Sequence, residues 1–521
     1  MASPGCEYET DTDPDAPNAS GGVPRLANSG DELQLLAPDG AVMDAVVFGD
    51  GLTTSAGWHG PALAYYQGNP RFAHGGQVFY RLFDPTTLLP LADTDAAVDW
   101  AQGNPDPGRG RRAAYPGWNL YTLSTPLHVL WPDAHPLAQV AVAPDNMYTA
   151  VHDLFAAART SIHIETYDLD HPELARLLAE RAGAGVDVRV LLEGAPVGGL
   201  TDATRWASQQ IEAGGGHVAF MVNDVGDAND RYAYVHAKMA IVDGRTLLVS
   251  SENLGPDSMP ADAGDGETWG RRGFAVLIED AALAARAESI LSGDADQRFL
   301  DVFSWQPGHP VYGPPAPGYS PPDATNRAGY IVRYPAVLRP YDITEAFLFT
   351  APEASLTPGP LLDLIARAGP GDTIFTAQLS EQTFWGAGSS DPSRDPNPRL
   401  EALIGAARRG TRVRILLDNF FDQPSDPRSN LATAVYVNTL ARAEGLDLAA
   451  RLGNPSGAGL HGKLHLLALG GERWVVTGSL NGGEVSAKLN REVALAMQSP
   501  AAYELLQEVF QTDWQTPAPE P

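Results

Sequence analysis

His236-Ala237-Lys238 and His461-Gly462-Lys463 each set an imidazole and an ammonium two residues apart, and each is followed by a Ser-x-Asn, Ser251-Glu252-Asn253 and Ser479-Leu480-Asn481. The chain holds 3 lysines against 32 arginines, and two of the three lysines lie in these patterns. A compact, rotatable ammonium is the cation that suits a phosphate. A phosphodiester is an anion that repels nucleophiles, so a site acting on one must neutralise charge and supply an attacking group. Lysine ammoniums, asparagine amides and serine hydroxyls can donate to the non-bridging oxygens as charge builds up. A neutral imidazole can attack phosphorus and become a phosphohistidine. A second, protonated imidazole can give its proton to the leaving alkoxide and then activate water or an alcohol. The two histidines must differ in protonation at the start and titrate as a coupled pair. One such site needs both motifs.

The elements that must position these groups are duplicated. His236 and His461 are 225 residues apart, and so are the runs starting at Gly185 (GVDVRVLLE) and Gly410 (GTRVRILLD). Ile162–Tyr167 aligns with Ile374–Leu379 at an offset of 212, which places a 13-residue insertion in the second copy around 386–398. A unit this long argues for two similar domains and not for a solenoid. Helical apolar spacing over 151–158 and 172–181 recurs over 361–368 and 400–409. Val/Ile/Leu-rich strand runs lie between these helices, so an α/β sheet covered by helices is expected in each copy. Val235–Val242, the turn Asp243-Gly244 and Arg245–Ser251 predict a hairpin with His236 opposite Ser251 and with His236, Lys238 and Asn253 on one face. The second copy predicts the same pairing, His461 opposite Ser479, around an odd-length glycine loop centred on Gly470. The domains are then expected to pack about a pseudo-twofold axis with the hairpins facing.

On these residues the chain resembles the phospholipase D superfamily, whose signature His-x-Lys-x4-Asp with Gly-Ser-x-Asn occurs twice. The first copy is complete through Asp243, with Ser250 in the glycine position; the second has Ala468 in the aspartate position and Gly478-Ser479-Leu480-Asn481. The resemblance covers roughly residues 135 to 514. It implies a duplicated α/β/α sandwich with a single composite site in one chain, working as a monomer without metal or other cofactor. His236, Lys238, Ser251, Asn253, Asp243, His461, Lys463, Ser479, Asn481 and Glu492 are the implied catalytic set. Lys238, Lys463, Asn253 and Asn481 are the ones that would bind substrate. His236 is implied as nucleophile and His461 as general acid, although asymmetry between the copies leaves that order open. A downstream carboxylate orients each histidine in the family. Glu492 fits that place for His461, whereas Arg271-Arg272-Gly273 occupies it in the first copy, with Glu267 as a substitute. Asp243 is read as serving mainly its Asp-Gly turn.

Other residues carry weaker signals. His465 reads as structural. His163 and Glu165 either line the cleft or are polar neighbours at a strand end. Arg271 and Arg272 either hold an anionic headgroup or lie on a solvated surface. No Cys/His metal spacing is present, and the lone Cys6 excludes an internal disulfide framework. A net charge of −29 argues against a broad nucleic-acid surface, so phospholipid is the first-choice substrate, with peripheral membrane contact. A nuclease of the same fold, and a non-catalytic scaffold with a degenerate second motif, are the alternatives. The expected organisation is a disordered 1–25, a β-rich 26–125, repeat 1 over 126–305, a proline-rich linker over 306–342, repeat 2 over 343–514 and a tail over 515–521. Leu26–Leu36 and Gly40–Asp50 read as two strands across Pro38-Asp39-Gly40 and resemble the final strands of a lamin-tail domain. On that resemblance Met1 would be an internal start, a leader would precede it, and the protein would lie outside the cytoplasm.

Overall fold

The computed structural model describes residues 26–516 apart from 28, 67–70, 73–76, 78, 83–88, 102, 104–105, 107, 112–125, 134, 223–230, 327–328, 341, 353–355 and 357–358. The expected disordered segment 1–25 and most of the expected tail lie outside the described residues. The described residues divide into two compact units, those within 26–111 with 386–389 and those within 126–385 and 390–516.

In the first unit, β1 (Gly30–Leu36) and β2 (Val42–Gly49) make the antiparallel hairpin expected from the sequence. Its small core gathers Ala45, Val47, Trp58 and Leu63.

The second unit contains both repeats. After β3 (Leu127–Leu130), the first repeat runs β4 (Ala138–Ala143), α1 (Met147–Ala156), β5 (Ser161–Thr166), α2 (Pro172–Gly183), β6 (Asp187–Glu193), α3 (Asp202–Ala213) and β7 (His217–Met221). It continues through β8 (Lys238–Val242), β9 (Thr246–Ser250), the short β10 (Glu267–Thr268), β11 (Gly270–Glu279), α4 (Ala281–Asp294) and β12 (Val302–Ser304). After β13 (Tyr330–Ile331), the second runs β14 (Glu345–Ala351), α5 (Pro360–Arg367), β15 (Thr373–Gln378), α6 (Pro398–Arg408), β16 (Arg412–Asp418), α7 (Asn430–Glu444) and β17 (Leu448–Gly453). It ends with β18 (Gly457–Leu460), β19 (Lys463–Leu469), β20 (Glu472–Gly478), α8 (Glu484–Lys488), β21 (Glu492–Gln498) and α9 (Pro500–Gln515).

Local sequence explains much of this. Near-continuous apolar runs such as VLL and ILL make β6 and β16 strands buried on both faces, as a helix-covered parallel sheet requires. A capping side chain followed by proline starts α2 (His171-Pro172), α6 (Asn397-Pro398) and α9 (Ser499-Pro500). The expected insertion is the stretch from Leu379 to Asn397 between β15 and α6, against Tyr167 to His171 between β5 and α2.

Each repeat is a mixed sheet, parallel through β5, β6 and β7 or β15, β16 and β17, and antiparallel through the hairpin strands. The strand orders are β12-β7-β6-β5-β8-β9-β11-β18 with β4 also on β11, and β17-β16-β15-β19-β20-β21-β14-β3. Helices α1–α3 cover the outer face of the first sheet and α5–α7 that of the second. Between the sheets, α4 and α9 share one core with Met239, Val249 and Phe274 of the first sheet and Leu464, Val475 and Leu495 of the second. The two repeats thus pack against each other, as expected of duplicated α/β domains, and do so through one shared core. They also exchange strands: β3, at the start of the segment expected as repeat 1, pairs with β14, and β18 of repeat 2 pairs in parallel with β11.

Candidate active site

Both motif hairpins form, displaced by one residue from the expected pairing. Met239 pairs with Val249 and Leu464 with Thr477, which sets Lys238 opposite Ser250 and Lys463 opposite Gly478. The two hairpins thus keep a common register, and both differ from the predicted one. The loops account for this. Asp243 and Gly244 both have positive φ and Arg245 N–H donates to Val242 C=O at 3.0 Å, so Arg245 is an extra residue before Thr246 pairs with Val242. Leu469 pairs directly with Glu472 across Gly470-Gly471, a two-residue loop where an odd one was expected. The one-residue displacement moves Ser251 and Ser479 off the face shared by histidine and lysine. Both serines are fully buried, and their hydroxyls accept the Phe274 and Val493 N–H groups at 2.9 and 3.0 Å. They fasten each hairpin to the following strand and are not phosphate donors, a correction to the sequence expectation.

Asp243 is also structural. Its carboxylate accepts N–H groups of Arg159, Thr160 and Ser161 at 2.7 to 3.1 Å, tying the turn to the start of β5. In the second copy, where Ala468 replaces the aspartate, Asp372 makes the tie from the other side, accepting Gly470 N–H at 2.7 Å.

Each histidine is delivered by a segment docked on the opposite repeat. His236 N–H donates to Arg491 C=O, and His461 N–H to Arg272 C=O, both at 2.9 Å. Glu193 accepts Val235 N–H at 2.6 Å and Asp418 accepts Leu460 N–H at 3.1 Å, so a carboxylate at the end of β6 or β16 holds the residue preceding each histidine. The carboxylates that meet the two histidines cross between repeats. Glu492 Oε2 lies 2.8 Å from His236 Nδ1, and Glu252 Oε2 lies 3.0 Å from His461 Nδ1. Glu492 therefore serves His236 and not His461 as expected, and Glu267 substitutes for nothing here: it is exposed and accepts Gly329 N–H.

The lysines complete one polar cluster. Lys238 Nζ donates to His236 C=O at 2.9 Å and stands 5.6 Å from the centre of the Tyr167 ring, which meets His236 edge-on. Lys463 Nζ donates to His461 C=O at 2.6 Å and approaches Ser251 C=O of the other motif at 3.3 Å. It also sits 3.3 Å from both ring nitrogens of His461, hence over the ring face. The side-chain oxygens of Asn253 and Asn481 are buried without a partner.

The electrostatics favour neutral imidazoles in the resting site. Burial, with the lysines beside them, pushes His236 down to about 4 and His461 to about 3, against the pull of their carboxylates. Burial opposes the charge on Glu252, yet His461, Lys463 and Ser258 hold it down at about 2; His236 and Lys238 likewise keep Glu492 below the usual range. With an anionic carboxylate at Nδ1, that nitrogen keeps the proton and Nε2 presents its lone pair. Burial also lowers Lys238 to about 8 and Lys463 to about 7, despite Glu492 and Glu252. A lysine binds an anion only while protonated, so kcat/KM, which reports the free enzyme, should fall as pH rises through 7 to 8. A pH–rate profile still rising at pH 9 would contradict this assignment of the lysines.

The remaining sequence candidates fall away from the cluster or change role. His465 is fully buried between Thr376 and Gln378 and burial holds it neutral, a structural residue as read. His163 pairs with Glu288 and Asp187. Glu165 is buried beside Asp294 and Arg491, where burial and Asp294 push it well above the carboxylate range. Arg271 pairs with Asp257. Arg272 is neither solvated nor a headgroup ligand: it is fully buried between Asp145 and Asp513. Sequence reasoning missed Glu252, Tyr167 and the serines Ser258 and Ser486. Aligning Arg271-Arg272-Gly273 with Asn490-Arg491-Glu492 finds a glycine where the second copy has its carboxylate, which directs attention to Glu252 as a source elsewhere.

A family model described as cardiolipin synthase, PLD-like domain, matches residues 151–292 and 362–514. Among solved structures, a phospholipase D family member, Nuc from Salmonella typhimurium, is 23% identical over 33% of this chain and 99% of its own, with a TM-score of 0.26. The phosphatidylserine synthase of Haemophilus influenzae Rd KW20 is 15% identical over 74% of this chain and 88% of its own, with a TM-score of 0.46. No curated protein sequence matches the chain.

Proposed function

The chain belongs to the phospholipase D-like family, its two matched segments being the two repeats, and from that premise we propose that it cleaves or transfers phosphatidyl groups through a phosphohistidine. The observation that carries this reading is the pair of crossed His–carboxylate contacts, each beside a buried lysine. One imidazole attacks phosphorus through Nε2; the N–P bond forms as the bond to the leaving alkoxide breaks. The other imidazole gives that alkoxide its proton. It then takes a proton from water or an alcohol, whose oxygen displaces the histidine and restores both rings. An arriving phosphodiester anion raises the pKa of the imidazole nearest the leaving oxygen, which lets that ring hold the proton it must donate. Lys238, Lys463 and the amides of Asn253 and Asn481 supply the donors for the non-bridging oxygens.

Two features favour lipid over nucleic acid. The net charge is −29, which disfavours a polyanion. Exposed Trp269 and Phe420 lie where side chains on Gly457 and Gly459 would otherwise project, on the strand that leads into His461, and Phe421 beside them is also exposed. Aromatic side chains of this kind suit the polar–apolar boundary of a bilayer.

The test is turnover of mixed-phospholipid vesicles with ethanol and excess chelator, products read by mass. Headgroup release with phosphatidylethanol is expected. Intact lipid with cleavage of single-stranded DNA would replace this reading with the nuclease, and no turnover of either would leave a scaffold.

A further inference from the structure

We propose that Glu252 is the positioning residue of His461, supplying from the first hairpin the carboxylate that the second repeat supplies from β21. The equivalence is geometric. Ser251 N–H pairs with Phe274 C=O and Ser479 N–H with Val493 C=O, so Gly273 corresponds to Glu492, and Glu252 to Leu480. The residues differ while the carboxylates coincide. Glu252 Oε2 accepts from Ser258 at 2.6 Å and Glu492 Oε1 from Ser486 at 2.5 Å, two serines at matching places after their hairpins. Ser251 donates to Glu252 at 2.7 Å; Ser479 donates instead to Val493 C=O at 3.3 Å but still helps hold Glu492 below its usual range.

Gly273 is what makes the relocation possible. A Cβ at 273 would fall 2.1 Å from Glu252 Oε1 and 2.3 Å from its Cγ, so one side chain fits that space, not two. The first copy fills it from residue 252 and leaves 273 bare; the second fills it from 492 and places an apolar leucine at 480. Either arrangement presents a buried anion to the Nδ1 of the opposite repeat's histidine and fixes its tautomer. The asymmetry that makes the first copy look incomplete in sequence is thus a compensated exchange of two positions. The aspartate tie follows the same pattern, from Asp243 in one copy and Asp372 in the other.

This inference rests on the phosphodiesterase reading only for its activity readout. Glu252→Leu is expected to lower kcat by up to about 10⁴-fold, the order lost when a catalytic histidine is deprived of the carboxylate that fixes its tautomer, with KM within about twofold. The 15N imidazole signals of His461 should move from a single Nδ1–H tautomer to a mixture. The exchange variant Glu252→Leu/Gly273→Glu should recover most of the kcat and the original His461 signals. Glu252→Gln keeps the shape if the leucine variant does not fold. Its expected signs are a lower kcat and a shift of the limb governed by His461 to lower pH, since the carboxylate is what raises that pKa. Unchanged kcat and His461 signals in the single variants would overturn the proposal, as would a folded exchange variant that recovers neither. If the wild type turns over no phosphodiester, the functional reading falls, and the His461 signals still decide this one.

Discussion

His236→Ala and His461→Ala are each expected to lower kcat by about 10⁴-fold or more, because a two-step covalent path loses its nucleophile in one variant and its proton donor in the other. The losses should not add in the double variant, since the two imidazoles act in one sequence of steps. Substrate chemistry separates the roles. A phosphodiester with a phenolate leaving group of low pKa needs no proton on departure, so the variant lacking the acid should form the phosphorylated enzyme at near wild-type rate. The variant lacking the nucleophile should not. Intact-protein mass after rapid quenching reads the intermediate directly. The crossed carboxylates do not settle the order, because both imidazoles have the same kind of partner at Nδ1, at 2.8 and 3.0 Å. Full activity in either alanine variant would exclude the two-histidine mechanism.

Arg272→Ala should cost about 3–5 kcal/mol of stability, the largest effect expected outside the cluster, because it leaves buried carboxylates without their counter-ion. Arg272 is fully enclosed and donates to Asp145 at 2.7 Å, Asp513 at 2.9 Å, Tyr330 at 2.7 Å and Ala143 C=O at 2.8 Å. Asp513 lies on α9 of the other repeat. Arg491 repeats the arrangement in reverse, reaching Asp294 at the end of α4 at 2.6 Å, with Tyr232 also bonded to it. These arginines carry the backbone carbonyls that receive His236 and His461, so loss of the ion pair should loosen the site along with the interface. Denaturant unfolding of the second unit measures the stability loss. Arg272→Met with Asp513→Leu should recover only part of it, since the apolar pair removes one uncompensated charge while buried Asp145 still lacks its counter-ion. A loss below about 1 kcal/mol in Arg272→Ala would mean that water, or Arg333, whose charge also reaches Asp513, compensates the carboxylates, contrary to this account.

Much of the machinery is legible in the chain alone. The two His-x-Lys and Ser-x-Asn patterns, their 225-residue spacing, the hairpins around Asp243-Gly244 and near Gly470, and the alternating strands and helices follow from residue type and local periodicity. So does the reading of Asp243 as a turn residue, which its contacts with Arg159, Thr160 and Ser161 support. The hairpin register differs by one residue from the predicted one because it depends on whether Arg245 counts in the first turn and whether the second loop holds two residues or three, and turn signals of this kind do not decide that. What only the tertiary structure decided is the pairing of groups. Glu492 and His236 are 256 residues apart, and Glu252 and His461 are 209. No propensity or period links residues so far apart; they meet because the repeats share one core and exchange backbone contacts at Arg272 and Arg491. The same cause buried Arg272, which a local reading leaves on the surface or at a headgroup. Residue types state which chemistry is possible, and the packing of one repeat against the other settles which carboxylate holds which histidine.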